Sequence, residues 1–179
     1  MNGNWTLHTA RLDLTPVGGS DFTDLCALKA DPQVFAIMLG GVRTAYQAGA
    51  ELAEDVIAWG KNGFGMWSIR DTQTRSFIGI TGLEYRQDGR GVALRFALWP
   101  EAQGRGLARE AAMAALRFGH ERARLRRIIA VARETNFASR TVLGGIGMTE
   151  CSRFVQQSWQ MVMYESVAIP LGPAADASH

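Results

Sequence analysis

ALRFALWPEAQGRGLAREAAMAALRFGHERARLRRIIAVARETNFASRTVLGGIGM, residues 93–148, holds the stretch that decides the fold. It opens inside a strand over Gly91–Trp99, rich in aromatic and aliphatic residues. At Gln103-Gly104-Arg105-Gly106-Leu107-Ala108 the period changes, and residues 105–124 follow helical spacing. Arg127–Val131 is a short apolar strand, and Asn136–Ile146 a short helix that Asn136 is suited to cap. A strand that runs through glycines into a helix start makes an anion site. The first backbone N–H groups of the helix are free, and its dipole favours negative charge. Without a Cβ at Gly104 and Gly106, phosphate oxygens can approach the main chain.

Upstream, Phe64–Arg70, Ser76–Arg86 and Gly91–Trp99 are joined by short links and form a three-stranded antiparallel meander. Ahead of it, residues 5–14 alternate as a strand and residues 22–30 form a helix. Asp31-Pro32 opens a second short helix through Met38, and Thr44 caps a longer one that ends at Asn62-Gly63. Two last strands cover about 149–155 and 158–167. This order predicts an α/β (mixed α+β) fold with one mostly antiparallel central sheet and helices on both faces. The antiparallel middle excludes a dinucleotide-binding doubly wound sheet. One domain over 1–170 is expected, with a disordered tail over 171–179.

The six-residue glycine pattern is weak by itself, and a second match occurs at Arg86-Gln87-Asp88-Gly89-Arg90-Gly91. That copy lies between two strands, where Asp88-Gly89 reads as a hairpin turn. Context separates the two, since only Gln103–Ala108 joins a strand to a helix.

Taken together, residues 93–148 resemble the GNAT N-acyltransferases, in the RimJ/RimL-like branch. The spacing matches: strand, Pro-Glu, glycine loop, alanine-rich helix, strand, Asn-x-x-Ser, Gly-Met. The resemblance runs from Thr9-Ala10-Arg11-Leu12 to Tyr164. It implies a GNAT-type fold and acetyl transfer from acetyl-CoA to an amine. It assigns CoA contacts to Trp99 through its backbone, to Gln103, Gly104, Arg105, Gly106, Leu107 and Ala108, and to Asn136 and Ser139. Many family members protonate the leaving thiolate with a Tyr seven residues after that Asn; here the position is Leu143. An acyl-CoA-binding module that senses without catalysing is the alternative this departure leaves open.

The chemistry calls for a base, because an amine of pKa near ~10 is mostly protonated at neutral pH. Glu84 is the candidate. With the hairpin centred on Asp88-Gly89, residue 84 faces 93 and residue 82 faces 95. Glu84 and Arg95 are then diagonal neighbours on one face. Leu83, Leu94, Phe96 and Leu98 share the other. Glu84 is therefore either a base or the partner of Arg95, and Arg95 either its counter-ion or a clamp for an acceptor carboxylate. Trp67 and Tyr85, with Arg95, are candidates for the acceptor pocket.

The chain has 179 residues with a net charge of +2, which gives no reason to expect nucleic acid. Cys26 and Cys151 form no metal or disulfide pattern, and the three histidines lie far apart, so no metal is expected. No basic-then-apolar leader and no run long enough for a bilayer are visible. The expectation is a cytoplasmic monomer or homodimer, its partners being acetyl-CoA and an unidentified amine, small molecule or protein N-terminus, with no membrane partner.

Overall fold

The computed structural model describes residues 4–169. The expected tail over 171–179 lies outside the described residues. Strands β1 (Leu7–His8) and β2 (Leu12–Pro16) lead into helices α1 (Phe22–Ala30), α2 (Pro32–Phe35) and α3 (Ala45–Asn62). The meander β3 (Met66–Asp71), β4 (Phe77–Tyr85) and β5 (Val92–Leu98) follows. Then come α4 (Leu107–Glu121), β6 (Arg127–Arg133), α5 (Phe137–Gly145), β7 (Thr149–Gln156) and β8 (Trp159–Val167). They form one sheet in the order β1-β2-β3-β4-β5-β6-β8-β7, antiparallel except where β5 meets β6.

The local signals explain most boundaries. Thr44 caps α3 in a reciprocal box with Gln47, and Gly63 ends it in the left-handed region at φ 74°. Asn136 caps α5, its side chain accepting from the Ser139 N–H at 3.2 Å. The β4–β5 register pairs Glu84 with Ala93 and Gly82 with Arg95, as the turn at Asp88-Gly89 requires.

Two expectations are corrected. Residues 5–14 are not one strand but two short ones that pair with each other. The Thr9–Leu12 turn that divides them is held from far along the chain, the Thr9 hydroxyl donating to Glu110 Oε1 at 2.6 Å. Helix α4 begins at Leu107 rather than 105, because Gly104 and Gly106 both take positive φ, 75° and 77°.

Alternation along the central strands sends side chains to two cores. Trp67, Ile69, Leu83, Leu94 and Leu98 pack under α4. Met66, Ile80 and Ala97 pack under α1, α2 and α3 with Leu28, Phe35 and Leu52. Helices therefore cover both faces of the sheet.

Candidate active site

Strands β5 and β6 run parallel yet pair, among the described residues, only at Ala93–Ile129. Beyond that point they separate, and a cleft of about 750 Å³ opens between their C-terminal halves and α3. Its walls include Ala97 and Phe96 on one side, Ala130 and Ala132 on the other.

The separation leaves backbone groups unpaired, and the ladder says which. In an antiparallel pair, the N–H and C=O of one residue point to the same neighbour, and the next residue's point away. The Trp99 N–H donates to the Ile78 carbonyl at 2.9 Å. The Arg95 carbonyl accepts from the Thr81 hydroxyl at 2.9 Å. Residues 95, 97 and 99 thus face β4, while Phe96 and Leu98 face the cleft. The Leu98 carbonyl is taken by Gln103 Nε2 at 3.1 Å. The N–H groups of Phe96 and Leu98 and the Phe96 carbonyl remain, a ready edge for an extended amide-bearing ligand. At Trp99 the N–H serves Ile78 and the carbonyl accepts from the Ala102 N–H at 2.9 Å, which leaves one carbonyl lone pair for the expected backbone contact.

The glycine loop lies at the end of the same strand. A Cβ at Gly104 would meet nothing within 4 Å. One at Gly106 would meet only the Arg11 guanidinium, 3.5 Å away. The loop is braced from β1–β2. Arg11 Nη1 donates to the Arg105 carbonyl at 2.9 Å, and its Nε donates to Glu110 Oε2 at 2.7 Å. Burial opposes ionisation of Glu110, but bonds from Thr9 and Arg11 outweigh it and hold the carboxyl below its usual range. Among the described residues, no backbone carbonyl accepts from the Gly104–Ala108 N–H groups. The look-alike at residues 86–91 is a turn, closed by Arg86 N–H donating to the Gly91 carbonyl at 2.9 Å.

Asn136 and Ser139 both line the cleft. The cap uses the Asn136 side-chain oxygen and leaves its NH₂ group available. Leu143 is buried, 2% exposed, and supplies no proton.

On the α1–α3 face of the sheet, Arg95 Nη1 donates to Glu84 Oε1 at 2.6 Å. This is the cross-strand pair the register predicts. Trp67 is corrected as an acceptor-pocket candidate. It is fully buried on the α4 face against Trp59 and Phe118, because it alternates with Met66, which points to the cleft side. Tyr85 reaches the cleft rim, 60% exposed, with its ring tilted against Phe64.

Sequence reasoning missed a charged wall. Lys29 Nζ lies 2.6 Å from Glu51 Oε2, and Arg43 Nε lies 2.5 Å from Glu51 Oε1. One turn along α3 from Glu51, Asp55 enters the cleft near Lys29, Glu84 and Arg95. Burial, aided by the nearby Glu84 and Glu51 carboxylates and opposed by Lys29 and Arg95, pushes its carboxyl up to about 6. The spacing of Glu51 and Asp55 puts them on one helix face, but nothing local says that this face looks at β5. Among the described residues, no group of three or more His, Cys, Asp or Glu side chains is placed to hold a metal.

Comparison with known proteins bears on the family and the fold. The profile of the acetyltransferase (GNAT) domain matches residues 11–149. A curated relative, FsC-acetyl coenzyme A-N(2)-transacetylase of Aspergillus fumigatus, is 29% identical over 165 residues, covering 83% of this chain and 67% of its own. The crystal structure of an acetyltransferase from Agrobacterium tumefaciens is similar with a TM-score of 0.81 and 25% identity, covering 91% of this chain and 94% of that one. An acetyl transferase of Salmonella typhimurium, which modifies the N-terminal serine of a ribosomal subunit protein, shares the fold. Its TM-score is 0.77 at 16% identity, covering 90% of this chain and 97% of its own. The chain belongs to the GNAT acetyltransferase family and is an acetyl-CoA-dependent N-acyltransferase.

Proposed function

We propose that this enzyme, of the RimJ/RimL-like branch, acetylates an α-amine, on a chain end or a small molecule, inside the β5–β6 cleft. One observation carries the proposal: the free edge of β5 at Phe96 and Leu98 leads directly into the Gln103–Ala108 loop. Pantetheine, an extended diamide, would pair with that edge. The diphosphate would rest on the N–H groups of Gly104 through Ala108. Asn136 and Ser139 would meet the pantetheine arm across the cleft. The thioester carbonyl would then lie near Phe96 or Leu98, whose N–H can stabilise the oxyanion that forms as the amine attacks. Holding the two reactants side by side supplies much of the acceleration. The α-amine is supported by two of the relatives, one named for an N(2) nitrogen and one for an N-terminal serine.

Among the carboxylates lining this site, Glu84 is already engaged with Arg95, which supports a charge-partner role for it and leaves the base to be found elsewhere. One domain over 1–170 and a cytoplasmic setting belong to the same proposal. No helix among the described residues is long and apolar enough to cross a membrane.

Ligand linkage provides the test. A ligand that binds only the native state adds about 2.7 kcal/mol at a hundredfold excess over its Kd. Millimolar acetyl-CoA is expected to raise the melting temperature by several degrees, about 5 °C or more at that occupancy. Free thiol should then appear on adding a short peptide with an unblocked N-terminal serine. An unchanged melt would sink the proposed cleft, and a shifted melt without thiol release would remove the α-amine.

A further inference from the structure

Given acetyl transfer to an α-amine as proposed above, we infer that Asp55 receives the acceptor as an ammonium ion and takes its proton.

Three observations place it there. First, position: Asp55 projects from α3 into the cleft on the face that carries Arg95, the residue before Phe96 with its free N–H. A group at Asp55 therefore faces the strand segment where the acyl carbonyl would lie. Second, availability. The facing charges are Lys29 from α1, Arg43 ahead of α3, Glu51 on α3 itself, Glu84 from β4 and Arg95 from β5. Lys29 and Arg43 are both bound to Glu51, and Arg95 to Glu84. Asp55 forms no ion pair or side-chain hydrogen bond among the described residues. Of Glu51, Asp55 and Glu84, it is the carboxylate left open to an arriving cation. Third, poise: burial holds its carboxyl at about 6, so it is ionised at neutral pH yet a stronger base than an ordinary aspartate.

The proton balance is simple. The ammonium gives one proton to Asp55 and becomes a free amine. Its lone pair forms the C–N bond, and the C–S bond breaks with its electrons on sulfur. The second proton lost from nitrogen goes to the departing thiolate, directly or through water. Asp55 then returns its proton to solvent. An α-ammonium, with pKa about 8, differs from this carboxyl by roughly two pH units. A lysine-like ammonium, at about 10.4, differs by more than four. The carboxyl thus fits an α-amine better by about two powers of ten.

The pH profile of kcat/KM separates this role from a structural one, since it reports the free enzyme and free acceptor. Glycinamide and a short peptide with a free N-terminal serine serve as acceptors. Wild type should rise through about pH 6, level off, and fall once the acceptor's ammonium is lost, near about pH 8. Asp55→Asn should lose roughly 10²–10⁴ in rate, and its residual rate should instead climb through the amine's own pKa. Acetyl-CoA binding, read by thermal shift, should be unchanged. Glu54→Gln, which removes a carboxylate one position away, should behave as wild type. The Arg95–Glu84 pair gives a second, signed readout. Glu84→Gln removes a negative neighbour and should move the acidic limb to lower pH; Arg95→Met removes a positive one and should move it higher. If Asp55→Asn keeps the rate and the acidic limb, the inference is overturned while the acetyl-transfer reading stands. If wild type transfers to neither acceptor, the α-amine reading fails and takes the inference with it.

Discussion

Gly106→Val is expected to weaken acetyl-CoA binding by at least about a hundredfold, a loss of about 2.7 kcal/mol. Gly106 is the residue just ahead of α4, at φ 77°. Its missing side chain leaves open space bounded only by the Arg11 guanidinium at 3.5 Å. That space adjoins the free N–H groups where a diphosphate would sit. A branched side chain fills it and also strains the left-handed backbone by roughly 1–2 kcal/mol. The strain is what makes a control necessary, and the look-alike turn supplies one. Gly89 has nearly the same φ, 74°, and open space around it. Gly89→Val should therefore lose a similar amount of stability and keep its CoA affinity. Calorimetric titration with CoA, beside denaturant melts of both variants, checks the pair. Equal CoA affinity in the two would mean that the phosphate loop is not at residues 103–108.

Asp55→Asn is expected to stabilise the protein at pH 8 while it disables transfer. The sign follows from linkage. The folded carboxyl stands at about 6 against an ordinary 3.8, so ionising it disfavours the folded state. Its contribution is fully present below about pH 3.8 and is lost as pH rises through about 6. The gap corresponds to up to about 3 kcal/mol of destabilisation at pH 8. Asparagine removes that charge. The gain should be greatest at pH 8 and vanish near pH 4, measured as the difference between wild type and variant in urea melts across that range. A gain in stability combined with a loss of rate is the mark of a group held for function. Destabilisation at pH 8 would show that the carboxylate is compensated by partners after all.

The parts of this picture visible in the sequence are those set by near neighbours. Asp88-Gly89 set the hairpin, and the hairpin set the register that joins Glu84 to Arg95. Thr44, Asn136 and Gly63 marked helix ends through their own backbone chemistry. The two glycine hexapeptides could be told apart because only one runs from strand to helix.

What could not be seen depends on residues far apart in the chain. The break in residues 5–14 rests on Thr9 and Arg11 reaching Glu110, about a hundred positions away. Trp67 looked like a pocket residue because alternation gives two faces without saying which one opens. Which backbone groups of β5 look into the cleft depends on the ladder that turns residues 95, 97 and 99 toward β4 and leaves Phe96 and Leu98 free. The Asp55 wall needs α3 laid across β4 and β5, and no local signal carries that packing.

The proposed CoA site runs along the free edge of β5 and ends on the Gln103–Ala108 loop. Residue-resolved amide exchange with and without CoA reads both parts of it. New protection is expected at the Phe96 and Leu98 N–H groups and at Gly104–Ala108, with none at Asp88–Gly91. Unchanged exchange at Phe96, Leu98 and the loop, with CoA bound and protection appearing elsewhere, would contradict it.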